Sequence, residues 1–249
     1  MKVKFMNSKG GTLVGVLHKP LKKSKSAVLF LHGFTGFKEQ FRWWAEYISL
    51  HGFITLAFDF TGNGESDGFF TEGTISQEVS DIDSAIKFLK ENYGVEKICV
   101  LGHSMGGAVA ILSAAKNKDI DCLVVLAPLA VLKGKPYSEF ANEMADILDS
   151  KGLCNIVNCK KMRSLDMTFF KDVSKHDVLK AVKKVKVPIL VIHGDADSIV
   201  KVKEGKMIYN AAVVKNKKIH IIKGADHDFA KGRFFLTNLI LDWCRKFLK

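Results

Sequence analysis

The chain has 249 residues, of which 47% are hydrophobic, and carries a formal net charge of +12 at pH 7. This length favours one large α/β domain with an insertion over two separate domains. No run of eighteen apolar residues occurs, and the amino terminus enters a short strand without the apolar segment of a secretion signal. We therefore expect a soluble, cytoplasmic protein without stable membrane insertion.

The positive charge and the cysteines are both dispersed along the chain. Most of the charge comes from lysines that lack the interleaved aromatic and arginine pattern of a nucleic-acid surface. We expect a solvated basic face and no nucleic-acid partner, with acidic substrates or an anionic membrane surface as the alternative. An odd, scattered set of cysteines favours a reduced compartment and predicts neither disulfides nor a metal site; these are Cys99, Cys122, Cys154, Cys159 and Cys244.

The predicted elements begin with two strands and continue as alternating strands and helices. Because the later strand runs are continuously apolar, they predict an α/β fold with a mostly parallel, buried sheet of eight strands. The strands are predicted at Lys2–Phe5, Thr12–His18, Ala27–His32, Ile54–Phe60, Ile98–Leu101, Cys122–Leu126, Ile189–His193 and Ile219–Ile222. The helices are predicted at Lys38–His51, Thr74–Tyr93, Met105–Lys116, Lys203–Ala212 and Gly232–Lys249.

The alternation is interrupted after the sixth strand. Helix-like segments at Ser138–Lys151 and His176–Lys184 predict an inserted helical cap over 129–186, with the core formed by 1–128 and 187–249. The apolar residues of the insertion form either a small core of their own or an adaptable apolar pocket. These residues are Phe140, Met144, Ile147, Leu148, Leu153, Met162, Leu165, Met167, Phe169 and Phe170.

The most informative motif is Gly102-x-Ser104-x-Gly106, between a predicted strand and a predicted helix. A serine on such a sharp turn is held in a strained backbone conformation that exposes its Oγ. The motif alone is also compatible with a Gly-rich turn and an ordinary serine cap. The strand, turn and helix around it favour the nucleophile.

A nucleophilic serine needs a base and a group that orients the base. His227 follows a late strand in a polar turn and is the predicted base, although a solvent-exposed loop histidine would have the same context. Asp195 and Asp197 both follow the strand that ends at His193, and spacing does not separate them. His103 adjoins the serine and is interpreted as structural.

The reaction also needs backbone N–H donors for an oxyanion. Met105 follows the serine and is expected to supply one donor. Phe34, in the Gly-rich turn that closes an early strand, is expected to supply the second, although this turn is also compatible with a plain strand-to-helix connection.

The chain resembles α/β-hydrolase serine hydrolases, and more narrowly the single-domain bacterial feruloyl (cinnamoyl) esterases and related acyl esterases. The resemblance covers nearly the whole length, including the insertion after the sixth strand, and it implies that the acid is Asp197. It rests on His32-Gly33-Phe34-Thr35-Gly36, Asp59-Phe60-x-Gly62-x-Gly64-x-Ser66-x-Gly68, Gly102-His103-Ser104-Met105-Gly106-Gly107, His193-Gly194-x-x-Asp197 and Asp226-His227.

In these esterases polar cap groups hold the phenolic ring of the substrate, and here Tyr137, Glu143 and Asp146 are the candidate equivalents. The pair Phe169 and Phe170 instead favours a more apolar pocket. The prediction is therefore a serine carboxylesterase, without metal or cofactor and as a monomer or homodimer, that acts through an acyl-enzyme on small to medium acyl or cinnamoyl-type esters. The alternatives are a monoacylglycerol lipase, lysophospholipase or thioesterase, a proline-type peptidase, and a non-catalytic ligand-binding homologue.

Overall fold

The computed structural model describes residues 1–151, 165, 167–230 and 232–249. The predicted cap residues Leu153 and Met162, and the cysteines Cys154 and Cys159, lie outside this description, as do the side chains of Met144 and Leu148. The other three cysteines are buried free thiols, at Cys99, Cys122 and Cys244.

Eight strands form a single sheet in the order β1-β2-β4-β3-β5-β6-β7-β8. The pairs β1–β2 and β2–β4 are antiparallel, and all other neighbouring strands are parallel. This confirms the predicted mostly parallel sheet of eight strands. The strands are β1 (Lys2–Met6), β2 (Thr12–His18), β3 (Ser26–Leu31), β4 (Ile54–Phe58), β5 (Lys97–His103), β6 (Cys122–Leu126), β7 (Ile189–Gly194) and β8 (Lys217–Ile222).

Helices cover both faces of the sheet. Apolar side chains of α2, α3, α6 and α7 form one core with the sheet, while α1 and α8 form a second core on the opposite face. The helices are α1 (Arg42–Leu50), α2 (Ile75–Tyr93), α3 (Met105–Ala114), α4 (Tyr137–Ser150), α5 (Met167–Val173), α6 (Val178–Val182), α7 (Val202–Ala211) and α8 (Arg233–Leu248). This two-sided cover excludes water from the central strands, which is why they are continuously apolar.

The predicted burial of the late strands holds for β4 to β7 but not for β8. Every residue of β7 is buried, whereas the residues of β8 are half-buried or exposed. β8 is one of the two edge strands of the sheet and pairs only with β7. Its basic residues Lys217 and Lys218 are typical of an edge that is protected against pairing with another chain.

The region of the predicted cap contains the described helices α4, α5 and α6. The short helix α5 was not predicted; it packs against α2. α6 packs against α3 and α7, and its Val178 and Val182 are buried in the main core. The division into a core and a cap over 129–186 stays a prediction. Within the described ranges, no helix has the length and apolar character needed to cross a membrane.

Candidate active site

Ser104 lies on a sharp turn between the end of β5 and the start of α3. Its backbone has φ 56° and ψ −120°, a conformation that costs free energy for a residue with a side chain. The flanking glycines make the turn possible. A Cβ atom at Gly102 would collide with the carbonyl of Gly106, and one at Gly106 would lie 2.5 Å from the carbonyl oxygen of Leu31. Strand and helix therefore approach as the motif predicts.

His227 lies in the loop after β8, and its ring is joined to Asp197 in the loop after β7. Its Nδ1–H donates to Asp197 Oδ2 over 2.7 Å. The other carboxylate oxygen, Oδ1, accepts the backbone N–H groups of Ile199 and Val200 at 2.9 and 2.8 Å. Since an ionised carboxylate only accepts hydrogen bonds, Nδ1 of the histidine carries a proton, and in the neutral ring Nε2 is then the acceptor.

Asp197 has a second histidine partner that the sequence analysis did not assign. Nε2–H of His193 donates to the carbonyl oxygen of Val200 over 2.8 Å and lies 3.3 Å from Asp197 Oδ2. Burial raises the pKa of Asp197, but the hydrogen bonds from His193 and His227 outweigh burial and hold this pKa well below its usual range. The carboxylate therefore stays charged beside the imidazole. The only sequence signal for His193 was its place in the His-Gly-x-x-Asp string.

The structure separates the two aspartates that spacing left open. Asp195 is exposed, and its Oδ1 accepts the backbone N–H of Gly224 over 2.6 Å. It therefore connects the ends of β7 and β8, while Asp197 contacts the imidazole of His227.

His103 connects the serine turn to the histidine loop. Its Nε2–H donates to the backbone carbonyl oxygen of His227 over 2.9 Å, and the two rings lie 4.7 Å apart. Burial, followed by the adjoining His227, lowers the pKa of His103 to about 3. The ring is consequently neutral, and it bonds directly to the backbone of the candidate base.

The Gly-rich turn after β3 lies against Ser104. A Cβ atom at Gly33 would lie 3.0 Å from Ser104 Cβ. In the described part of the chain, the backbone N–H groups of Phe34 and Met105 have no backbone partner. His32 braces the turn, because its Nδ1–H donates to Gly33 O over 2.9 Å and its Nε2 accepts the N–H of Phe60 over 3.1 Å.

A buried ion pair lies behind this turn. Lys38 Nζ contacts Asp59 Oδ2 at 2.6 Å, and Asp59 Oδ1 accepts the Lys38 backbone N–H at 2.7 Å. Glu65 is a second partner of Lys38 Nζ, at 2.7 Å. Burial lowers the pKa of Lys38, but Asp59 more than offsets this effect and the pKa is raised well above its ordinary value. The pair joins the chain that follows the Gly-rich turn to the end of β4.

Ser104 and His227 line one pocket with an empty volume of about 940 Å³, part of it open to solvent. We call it the catalytic pocket. Its walls are mainly apolar, with several polar residues among them. The other lining residues are Gly33, Phe34, Thr35, Phe37, Gln40, His103, Leu129, Lys135, Pro136, Tyr137, Phe140, Ile199, Val200 and Asp228.

The residues predicted to contact substrate fall into three groups. Tyr137 lines the catalytic pocket, but its hydroxyl donates to Leu132 O over 2.9 Å. Phe169 is buried behind the wall, with its ring 5.6 Å from that of Phe34 and 5.8 Å from that of Phe170, and neither Phe169 nor Phe170 lines the pocket. Glu143 and Asp146 are exposed on α4 and do not line it either.

The described residues contain no group of three or more His, Cys, Asp or Glu side chains placed to hold a metal ion. The arrangement instead combines a serine hydroxyl in the wall of an apolar pocket, an imidazole oriented by a carboxylate, and two backbone N–H groups without a backbone partner among the described residues. These are the groups that nucleophilic acyl transfer needs.

The sheet and the serine turn define an α/β-hydrolase, which confirms the resemblance seen in the sequence. A model of the family described as serine aminopeptidase, S33, matches residues 22–152 and 173–231, and the chain belongs to this hydrolase family.

Several characterised proteins are similar along most of the chain. The structure of Est1E from Butyrivibrio proteoclasticus with ferulic acid bound is 24% identical, with a TM-score of 0.80 and 99% of both chains covered. An esterase of Pyrococcus furiosus is also 24% identical, with a TM-score of 0.76 over 100% of this chain and 91% of that one. Human monoglyceride lipase is 24% identical over 266 residues, 95% of this chain and 86% of its own. At these identities the structural likeness establishes the fold.

Proposed function

We propose that the protein is a carboxylic ester hydrolase that acts through an acyl-enzyme on small to medium acyl or aromatic esters. The observation that carries this proposal is the joint position of Ser104 and His227 in one pocket, with Nδ1 of His227 bonded to Asp197. The esterases and the lipase among the similar proteins support the same reaction class.

The proposed reaction has two halves, formation of the acyl-enzyme and its hydrolysis, and the same side chains act in both. His227 Nε2 takes the proton of Ser104 as Oγ attacks the acyl carbon, and returns it to the leaving alcohol when the ester bond breaks. Asp197 stabilises the imidazolium that forms in between. The N–H groups of Phe34 and Met105 hold the oxyanion. A water molecule that gives its proton to His227 then attacks the acyl-enzyme, and the released serine regains that proton.

The character of the pocket supports an apolar acyl group. Phe34 packs against two other aromatic lining residues, with its ring 5.1 Å from that of Tyr137 and 6.2 Å from that of Phe140. Among the described lining residues, Asp228 is the single acidic one. This part of the pocket therefore lacks the acidic cluster that would hold the amino terminus of a peptide. We therefore favour esters over the aminopeptidase substrates that the family description names.

Hydrolysis of p-nitrophenyl esters from acetate to palmitate, with methyl ferulate, a lysophospholipid and an aminoacyl p-nitroanilide, tests this proposal. We expect the wild type to cleave short or aromatic esters and Ser104→Ala to lose this activity. Ser113→Ala is the matched control, because Ser113 lies on α3 with a buried hydroxyl that has no hydrogen-bond partner among the described residues. A preference for palmitate or the lysophospholipid would indicate a lipid substrate. A preference for the aminoacyl p-nitroanilide would indicate a peptide substrate.

A fluorophosphonate probe provides a second measurement. We expect one probe per chain, attached to Ser104 and absent from Ser104→Ala when the intact mass is determined. A wild type that neither hydrolyses any of these substrates nor takes up the probe would contradict the proposal and favour a ligand-binding role.

A further inference from the structure

The chain between β6 and α4 forms part of the wall of the catalytic pocket. We call residues 129–136 the wall segment. It contributes Leu129, Lys135 and Pro136 to the pocket lining, and it leads directly into Tyr137, which also lines the pocket. Because the wall segment belongs to neither a strand nor a helix, other groups must hold its backbone in place.

Glu204, in the first turn of α7, holds the wall segment at both ends. Its Oε2 accepts the backbone N–H groups of Ala130 and Val131 over 2.9 and 3.2 Å. Its Oε1 accepts a hydrogen bond from Lys135 Nζ over 2.5 Å. Only 7% of the Glu204 side chain is exposed, so these three donors replace the water that a buried carboxylate loses.

The bond to Lys135 also affects the polarity of the wall. The Lys135 side chain is 26% exposed and lines the pocket beside Leu129 and Tyr137. Because its ammonium group is paired with Glu204, the charge is neutralised where the wall meets an apolar substrate group. Glu204 therefore acts on both the shape and the charge of this wall.

The same turn of α7 packs against the support of the candidate acid. Gly205 follows Glu204 and lies against His193, since a Cβ atom at Gly205 would lie 2.6 Å from His193 Nδ1. His193 Nε2 in turn lies 3.3 Å from Asp197 Oδ2. Glu204 consequently connects the pocket wall to the loop whose carboxylate bonds to His227.

Tyr137 links the wall segment to the aromatic part of the pocket. Its hydroxyl donates to the carbonyl oxygen of Leu132, within the wall segment, and its ring lies 5.1 Å from that of Phe34. Glu204 bonds to the two residues that directly precede Leu132. We therefore expect a shift of these residues to move Tyr137 relative to Phe34 and to change the space for an acyl group.

We propose that Glu204 is a positioning residue that determines which acyl groups the catalytic pocket accepts. It holds the wall segment in the position that fits an acyl chain and keeps the Lys135 ammonium group paired. Glu204 does not line the described pocket, so its effect falls on binding of the acyl group and not on the chemical steps. This inference rests on the proposed ester hydrolysis and adds the origin of its acyl selectivity.

The series p-nitrophenyl acetate, butyrate and octanoate tests this role, because the leaving group is constant. We expect the wild type to favour butyrate over acetate in kcat/KM. Glu204→Leu should reduce this preference about 10-fold, mainly through KM for butyrate, because it removes a charged acceptor of hydrogen bonds. Glu204→Gln keeps an acceptor for the backbone N–H groups and should retain part of the preference. In both variants kcat for acetate should stay close to that of the wild type.

Asp121→Asn is the matched control. Asp121 likewise accepts a backbone N–H, that of Ile98, and bonds to a lysine, Lys97, each over 2.8 Å. These bonds lie at the start of β5, whereas Ser104 follows the end of this strand. Asp121→Asn should therefore lower stability in urea without changing the preference for butyrate.

The outcomes separate this role from the reaction itself. If the Glu204 variants lower kcat/KM by the same factor for all three esters, the role in acyl selectivity is overturned and ester hydrolysis stands. The same conclusion follows if the wild type does not favour butyrate, or if Asp121→Asn changes the preference as much as Glu204→Leu. Should Glu204→Leu not fold, an unchanged preference in Glu204→Gln overturns the proposal. If the wild type cleaves none of the three esters, the proposed function fails together with this role.

Discussion

The Nε2–H group of His103 donates a hydrogen bond to the backbone carbonyl oxygen of His227 over 2.9 Å. This bond joins the residue before the candidate nucleophile to the residue that is the candidate base. The two side chains otherwise depend on separate loops, one after β5 and one after β8. We therefore expect this bond to help position the imidazole relative to the serine.

Removal of this donor should lower turnover without removing either catalytic group. We expect His103→Leu to reduce kcat for p-nitrophenyl butyrate by about 10- to 100-fold, because a displacement of about 1 Å at a reacting group has an effect of this order. His103→Gln keeps an N–H donor and should recover part of the rate. Equal rates for wild type, His103→Leu and His103→Gln would show that the loop holds its position without this bond.

The same histidine should make the fold sensitive to acid. Its pKa is lowered to about 3 in the folded chain by burial, while an unfolded histidine has the ordinary value of about 6.5. Between these values the unfolded state binds a proton that the folded state does not, so stability falls as pH decreases. From pH 7 to pH 5 we expect the free energy of unfolding in urea to fall about 2 kcal/mol more in the wild type than in His103→Gln. Parallel pH dependences would contradict this role.

The sequence was sufficient for the eight strands, for most of the helices and for the candidate serine and histidine, while the choice of Asp197 over Asp195 came from the resemblance. Each central strand is an apolar run with turn residues at its ends, and this local pattern reports burial on both faces of a sheet. The Gly-x-Ser-x-Gly string is also a local signal, because it occupies five consecutive residues between an apolar run and a segment of small residues. Such features are readable without knowing which strands are neighbours.

The remaining features depend on contacts between distant parts of the chain. Lys38 and Asp59 are 21 residues apart, and nothing in their local sequence separates this buried lysine from the many exposed ones. His103 and His227 are 124 residues apart. The candidate polar substrate residues of α4 were chosen by analogy, and the turn of that helix leaves Glu143 and Asp146 outside the catalytic pocket.

Replacement of each aspartate after β7 should show which of them orients His227 and which only supports the loops. Asp197→Asn cannot hold the same protonated form of His227, and we expect kcat to fall by about 10⁴-fold. Asp195→Asn is the matched control, since Asp195 bonds to Gly224 and should leave kcat within about threefold of wild type. Rates for p-nitrophenyl butyrate at pH 7 to 8 provide the measurement. A larger loss in Asp195→Asn than in Asp197→Asn would reverse the assignment of the acid.

Disruption of the ion pair behind the Gly-rich turn should weaken the whole fold. Lys38 is 3% exposed and Asp59 is fully buried, so Lys38→Met leaves a charge without its partner inside the protein. We expect the free energy of unfolding in urea to fall by about 3–5 kcal/mol. Lys25→Met is the control, because Lys25 pairs with Glu96 at the surface and should cost less than about 1 kcal/mol.

The double variant Lys38→Met/Asp59→Asn distinguishes loss of the pair from loss of the lysine itself. Because the amide carries no charge, we expect it to be more stable than Lys38→Met alone. Asp59 also accepts the backbone N–H groups of Lys38 and Glu65, and the amide oxygen can replace only one of these acceptors. Recovery should therefore be partial. A double variant no more stable than Lys38→Met would show that packing of the lysine, and not the buried charge of Asp59, determines the effect.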